Sequence, residues 1–203
     1  MAGMTSSARI AATADVDDRA TIGDGAVVWH LAQVREDAVV GPECTIGRGA
    51  YIGAGVRLGA RVKVQNLAQV YEPAVVEDGV FVGPAAVLTN DVRPRAITPG
   101  GALKGAADWD PVGVAVRTGA SIGARAVCVA PVTVGRWAMV AAGAVVTRDV
   151  PDHALVVGVP ARQVGWVGRS GSSLAADGEH WVCPRTGERY ELGENGLRPL
   201  AAG

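Results

Sequence analysis

Two side chains in this sequence have the types and the spacing to handle a proton on a small polar substrate: Glu72 and Asn90. They are eighteen residues apart, and each stands two places after an aliphatic residue, Val70 and Leu88. A carboxylate can take up a proton or hold an ammonium, whereas an amide can orient such a group but cannot act as a base. A solvated carboxylate is the plain alternative for Glu72. Arg93 and Arg95 flank Pro94 just downstream. A guanidinium suits a carboxylate or a pyrophosphate through two parallel hydrogen bonds, and two solvated loop arginines are the plain alternative. Gln65, Asn66 and Tyr71 add polar and aromatic groups at neighbouring positions. The histidines stand apart from this stretch. His30 reads as a corner or subunit-contact residue, His153 as solvent-exposed, and His180 as part of the tail.

A repeat of six positions these groups. Stepping by six across 16–88, all thirteen residues are aliphatic, beginning Val16, Ile22, Val28 and ending at Leu88. The residue four places after each is small and apolar, as in Ala20, Ala26, Cys44 and Val56. This period matches neither the 3.6 of a helix nor the plain alternation of a strand. It matches a chain that turns a corner every six residues, with one branched and one small side chain inward: a parallel β-helix of hexapeptide repeats. One hexad buries a single large aliphatic group, worth roughly 1.5–3 kcal/mol. Ordering six backbones costs about 1–2 kcal/mol each, so hexads fold only when stacked. Three make a triangular coil of eighteen residues, and residues eighteen apart share a corner about 4.8 Å apart. Glu72 and Asn90 therefore sit one above the other, facing outward.

The repeat is lost at Pro94 and resumes in a new phase at Val116, continuing through Ile122, Cys128, Val134, Val140 and Val146. Residues 94–115 are thus an insertion looping out of the helix, and long irregular loops in compact domains are usually functional. The predicted organisation is all-β: a lead over 1–15, a β-helix domain over 16–151 and a C-terminal extension over 152–203. The extension reads as a short hairpin-like tail packed by Trp181 and Tyr190, turning at Thr186 and Gly187, with disorder after Leu192. A net charge of −1 gives no electrostatic case for nucleic acid or anionic membrane. Three cysteines fit a reducing cytoplasm better than a disulfide scaffold; Cys44 and Cys128 fall at inward positions. No apolar run approaches a membrane span, and 1–15 carries no signal-peptide core. The expected location is cytoplasmic.

The segments VVWHLAQVREDAVVG, VKVQNLAQVYEPAVVEDGVFVGPAAVLTNDVRPR, RTGASIGARAVC and AAGAVVTRDVPDHALVVGVPARQVGW resemble the acyl-CoA-dependent sugar N-acetyltransferases of the left-handed β-helix class. The left hand comes from this resemblance alone, since parallel crossovers are otherwise right-handed. Within the class the chain most resembles enzymes that acetylate the 3-amino group of UDP-2-acetamido-3-amino-2,3-dideoxy-glucuronate, which share a tail like GW-x-x-R-x-G followed by CP-x-TG-x-RY-x-L. The dTDP-3-amino-3,6-dideoxyhexose N-acetyltransferases are similar through TND-x-x-PR.

The resemblance implies acetyl-CoA as co-substrate, a nucleotide-linked amino sugar as acceptor and a homotrimer. Asn90 would hydrogen-bond the sugar amine, with Glu72 as the nearby carboxylate. Gln65, Asn66 and Tyr71 would contact the sugar nucleotide, while Arg93 and Arg95 would read a carboxylate and a phosphate. Ala142 and Gly143 would meet the pantetheine, Pro160 would pack near the adenine, and Arg148 and Arg162 would hold the phosphates. The amine would attack the thioester directly, without a dedicated His base, and the departing thiolate would accept the proton. Some relatives carry paired cysteines in the tail; here Gly168, Ser170 and Thr186 leave only Cys183, and no metal site is expected. Two other classes remain: a non-enzymatic β-helix scaffold, which has no need of the insertion or the Glu72 and Asn90 pair, and a carbonic-anhydrase-like protein, which needs three converging histidines.

Overall fold

Each hexad becomes a two-residue strand followed by a corner. The chain is described here by a computed structural model covering residues 8–200. Its strands fall on three faces. The first carries Arg9–Ile10, Val27–Val28, Thr45–Ile46, Lys63–Val64, Phe81–Val82, Ser121–Ile122 and Met139–Val140. Along the second lie Asp15–Val16, Gln33–Val34, Tyr51–Ile52, Gln69–Val70, Val87–Leu88, Val127–Cys128 and Val145–Val146. The third holds Thr21–Ile22, Val39–Val40, Arg57–Leu58, Val75–Val76, Val114–Val116 and Val132–Val134.

These strands pair in parallel at the predicted eighteen-residue register, Val28 with Ile46, Ile46 with Val64 and Val64 with Val82. A two-residue strand cannot stand alone; its amides are satisfied from the next coil, as where Gly47 N donates to Val64 O at 2.7 Å. Inside the prism the branched and small positions alternate, and Ile46, Ile52, Ala32, Cys44 and Cys128 are fully buried. At the first corner Val28 and Ala32 point in, while Trp29, His30 and Leu31 pass around the outside. Leu31 turns that corner in the left-handed region, at φ 60°.

The insertion leaves and returns without disturbing this order. Val76 pairs with Val116, Val82 with Ile122 and Leu88 with Cys128, so the faces continue across it. Its neck is closed by Val112 N donating to Asn90 O at 3.1 Å. Beyond the neck, Ile97 and Leu103 form an antiparallel bridge, Thr98 N donates to Ala102 O at 2.8 Å, and a 3₁₀ turn covers Ala106–Asp108. The predicted limit of 94–115 is two residues long at its end, because Val114 and Ala115 already belong to the third face.

Three expectations are corrected. The predicted lead over 1–15 includes the start of the prism: Arg9–Ile10 pairs with Val27–Val28, and Asp15–Val16 with Gln33–Val34. The six-residue spacing from Ile10 to Val16 carried that signal; residues 1–7 lie outside the described chain. The tail is a four-stranded antiparallel sheet of Ala175–Asp177, His180–Val182, Arg189–Gly193 and Gly196–Pro199. The segment after Leu192, expected to be disordered, supplies its last strand. This sheet buries Cys183, Tyr190 and Leu197 against Trp166, Leu174 and Trp181.

His153, expected in solvent, is 2% exposed. Strand Ala154–Val157 extends the first face beyond Met139–Val140 and folds back antiparallel on Arg162–Trp166, which brings Val167 over the ring. The Nδ1–H of His153 donates to Val167 O at 2.9 Å, and the ring meets Tyr190 edge-on at 4.9 Å. The helix end and the tail are therefore joined through a buried imidazole.

Burial lowers the pKa of His153 below its ordinary value, against the opposing pull of the Val167 carbonyl. Asp152 and Glu188 also pull it up, and Arg169 pushes it down. The folded ring is neutral where the unfolded one becomes protonated, below about pH 6.5. Its contribution is complete above that pH and is lost as pH falls. Thermal midpoints measured from pH 7.5 to 5 will fall with acidification, and His153→Phe will flatten that slope.

Candidate functional site

The corner between the second and third faces gathers the residues singled out first. Val70 pairs with Leu88, so Glu72 and Asn90 stack in one column directly before the insertion. Both are half-buried. The Glu72–Pro73 peptide is cis. Glu72 folds back over Gly53 of the preceding coil, where a Cβ on Gly53 would collide with its Oε2; glycine is needed there to seat the carboxylate. That oxygen is buried and has no hydrogen-bond partner among the described residues. Leaving a buried polar atom unpaired costs about 1–3 kcal/mol, which calls for a partner outside the chain as described.

Tyr71 lies beside it, its ring 5.1 Å from Tyr51 and tilted by 47°. Arg35 Nη1 donates to the Tyr51 hydroxyl oxygen at 3.4 Å, and the same guanidinium grips Glu36 through Nε at 2.6 Å and Nη2 at 2.8 Å. Burial and then the Glu72 carboxylate push the Tyr51 hydroxyl pKa up, with Arg35 opposing. Arg35, Glu36 and Tyr51 are absent from the sequence-based set. The register that placed Glu72 could have found them, since Arg35 and Glu36 lie two coils before Tyr71 and Glu72.

Arg93 and Arg95 are exposed at the neck of the insertion, where Arg93 N donates to Asp91 Oδ1 at 2.7 Å and Arg95 Nη1 to Pro94 O at 2.9 Å. Gln65 and Asn66 lie elsewhere, on the corner between the first and second faces, with strand Gln69–Val70 separating them from Glu72. Asn66 is already engaged there, its Oδ1 accepting from Arg48 N at 2.9 Å. His30 occupies the same corner, in hydrogen-bond contact with Thr13 Oγ1 at 2.8 Å.

Ala142 and Gly143 also stand on this first–second corner, both exposed. The turn holding Pro160 and Arg162 joins them, because Val145 N donates to Gly158 O at 3.0 Å and Ala161 N to Val145 O at 2.8 Å. Arg148 does not join them; strand Val145–Val146 carries it across to the opposite corner. Arg125, exposed and one coil before Gly143, stands where Arg148 was expected. It could have been found by counting back eighteen from Gly143.

A groove of about 870 Å³ lies between Arg117, Arg136, Asp149, Trp166 and Asn195. Its charges are spent internally. Arg117 donates to Glu77 Oε1 at 2.8 Å, Arg136 lies 3.7 Å from Oε2, and Thr118 donates to Oε2 through N at 2.9 Å and Oγ1 at 2.8 Å. Burial alone would raise the Glu77 pKa, but these donors outweigh it and hold it at about 2. Asp149 and Asp152 accept from Thr133 N and Arg136 N. In the tail, the Cys183 thiol lies 3.2 Å from Ser170 Oγ. Among the described residues no three His, Cys, Asp or Glu side chains converge as a metal site, and no helix is long and apolar enough to cross a membrane.

Two family models match the chain: bacterial transferase hexapeptide (six repeats) over residues 19–54, and hexapeptide repeat of succinyl-transferase over 112–148. The fold is accordingly the left-handed parallel β-helix of hexapeptide repeats. Neither match reaches Glu72 or Asn90. Among curated proteins, the chain is 48% identical over 79 residues to dTDP-3-amino-3,6-dideoxy-alpha-D-galactopyranose 3-N-acetyltransferase of Aneurinibacillus thermoaerophilus, covering 39% of this chain and 41% of that one. Serine acetyltransferase of Escherichia coli K12 is 43% identical over 88 residues, covering 43% and 31%. The chain thus spans less than half the length of these relatives.

Among solved structures, the acetyltransferase domain of PglB from Neisseria gonorrhoeae is 23% identical with a TM-score of 0.51, over 80% of this chain and 60% of that one. A variant of AntD, an N-acyltransferase from Bacillus cereus in complex with dTDP and coenzyme A, is 18% identical with a TM-score of 0.51, over 80% and 83%. At these identities they speak for the fold alone.

Replacing Asn66 tests whether its side chain belongs to the architecture of its corner. Asn66→Ala leaves the Arg48 amide without its acceptor and will lower unfolding stability by about 1 kcal/mol, measured by urea denaturation.

Proposed function

We propose that this chain is an acetyl-CoA-dependent N-acetyltransferase acting on the 3-amino group of a nucleotide-linked amino sugar, best UDP-2-acetamido-3-amino-2,3-dideoxy-glucuronate. The observation that carries this reading is the buried, unpaired carboxylate oxygen of Glu72, stacked on Asn90 at the mouth of the insertion. An amine is the complementary group, since it can donate to the carboxylate and attack an acyl carbon.

Asn90 orients the amine. Glu72 holds it and accepts its proton as the C–N bond forms and the C–S bond breaks; the coenzyme A thiolate then takes that proton and leaves as the thiol. No histidine is required. His30 lies on the first–second corner two coils before Asn66, His153 is enclosed at the tail junction, and His180 lies on a tail strand. Arg93 and Arg95 supply the positive charge for a uronate carboxylate and a phosphate. Ala142, Gly143, Pro160, Arg162 and Arg125 line the coenzyme corner, with the cations facing its phosphates.

The site needs more than one copy. Ala142 and Gly143 lie on one corner and Glu72 and Asn90 on another, with the second face between them. A neighbouring copy related by a three-fold axis brings one corner against the other, which supports a homotrimer with shared sites. Both co-substrates are cytoplasmic metabolites, in keeping with a cytoplasmic enzyme. A second reading, with a dTDP-linked 3-amino-3,6-dideoxyhexose as acceptor, is favoured by the relative that is 48% identical.

Acetyl transfer from acetyl-CoA across a panel of UDP- and dTDP-linked 3-amino sugars separates these acceptors. The uronate will be the better substrate, and removing Arg93 or Arg95 will raise its KM more than that of a 6-deoxy sugar. Asn90→Ala will lower kcat by about 10²-fold with the oligomer intact, whereas His30→Ala will stay within about threefold of the parent. The reverse order would overturn the assignment, and failure to bind millimolar coenzyme A would favour a scaffold protein.

A further inference from the structure

Glu72 is seated by the coil below it, and that coil contributes more than glycine. The Tyr51 ring packs on Tyr71, the immediate neighbour of Glu72. Its hydroxyl oxygen already accepts from Arg35 Nη1. What that hydroxyl has left to offer is its proton. Glu72 lies over the same coil, its Oε2 packed on Gly53 two residues along from Tyr51, and its charge, after burial, raises the Tyr51 pKa. The phenol thus stays protonated at neutral pH, as a donor beside a carboxylate that has an empty acceptor. Arg35 is pinned independently by its two bonds to Glu36, so its charge does not depend on substrate being present.

Resting on the acetyltransferase reading above, we propose that Tyr51 and Arg35 are positioning residues for Glu72. The guanidinium aims the Tyr51 hydroxyl, and the hydroxyl donates to the Glu72 carboxylate when the amino sugar draws that carboxylate into place. One oxygen of Glu72 is then held by the protein and the other faces the amine. The hydrogen bond fixes which oxygen is turned toward the amine. During transfer the amine proton passes to the oxygen facing it, and from there to the coenzyme A sulfur as the C–S bond breaks. Tyr51 keeps its own proton throughout, and no further reactant is required.

This role differs from packing in what it predicts. Tyr51→Phe retains the ring and its contact with Tyr71 while removing only the hydroxyl. Its kcat will fall by about tenfold, with KM for acetyl-CoA within about twofold and the thermal midpoint within about 2 °C of the parent. Arg35→Lys, which keeps the charge but loses the fork, will retain more activity than Arg35→Met. In a Glu72→Gln background, Tyr51→Phe will cost almost nothing further, because residues acting through one group are not additive.

The proposal is overturned if Tyr51→Phe loses the same factor with Gln at 72 as with Glu, or if its loss falls on the KM for acetyl-CoA and the thermal midpoint instead of on kcat. Full activity in Glu72→Gln would remove the role assigned to Glu72 itself, and absence of acetyl transfer by the parent would remove the enzymatic reading. Either result differs visibly from failure of the Tyr51 prediction alone.

Discussion

The eighteen-residue register is the constraint on which this structure depends. No strand on the three faces is longer than three residues until Ala154–Val157, so none has enough hydrogen bonds to persist by itself. Each is held only because the coil before and the coil after present carbonyls and amides at the same spacing. A slip of one residue in any coil would turn Val and Ile outward and bring polar neighbours into a core that holds almost nothing but Val, Ile, Leu, Ala and Cys. The hydrophobic pattern and the backbone ladder therefore enforce one another.

Because the register survives the insertion, the prism offers fixed columns on which chemistry can be arranged. Outward residues recur at known heights, and a long excursion leaves from one corner without altering the pairing of Val76, Val82 or Leu88 with the strands beyond it. The closing bond from Val112 to Asn90 ties that excursion to the same residue that faces the candidate site. A rigid scaffold thus keeps Glu72 and Asn90 in place at the base of the arm.

Glu72 and Glu77 show how far position alone can separate identical side chains. Five residues apart and both half-buried, they lie on different corners. Glu77 is met by two arginines and by both donors of Thr118, is held strongly acidic, and serves as an architectural anion. Glu72 has one wholly buried oxygen with no partner. The first is complete within the chain; the second awaits something from outside it. The tail adds a comparable contrast, since its histidine is enclosed and spent on a carbonyl, and it does not compete for a catalytic role.

The hexad pattern by itself determined the prism, its small aliphatic core and the stacking of Glu72 on Asn90, because side-chain periodicity translates directly into which face a residue occupies. It also marked where the insertion begins, though not its last two residues, since Val114 and Ala115 differ too little from loop residues to betray their strand. Other features were beyond such a pattern. Whether His153 is exposed and whether the chain after Leu192 is ordered depend on how strands fold back beyond the last coil. The register alone places Arg35 and Glu36 in the column of Tyr71 and Glu72, but only tertiary structure turned the Tyr51 ring onto Tyr71 and its hydroxyl to Arg35, because such contacts are made by side-chain direction and packing.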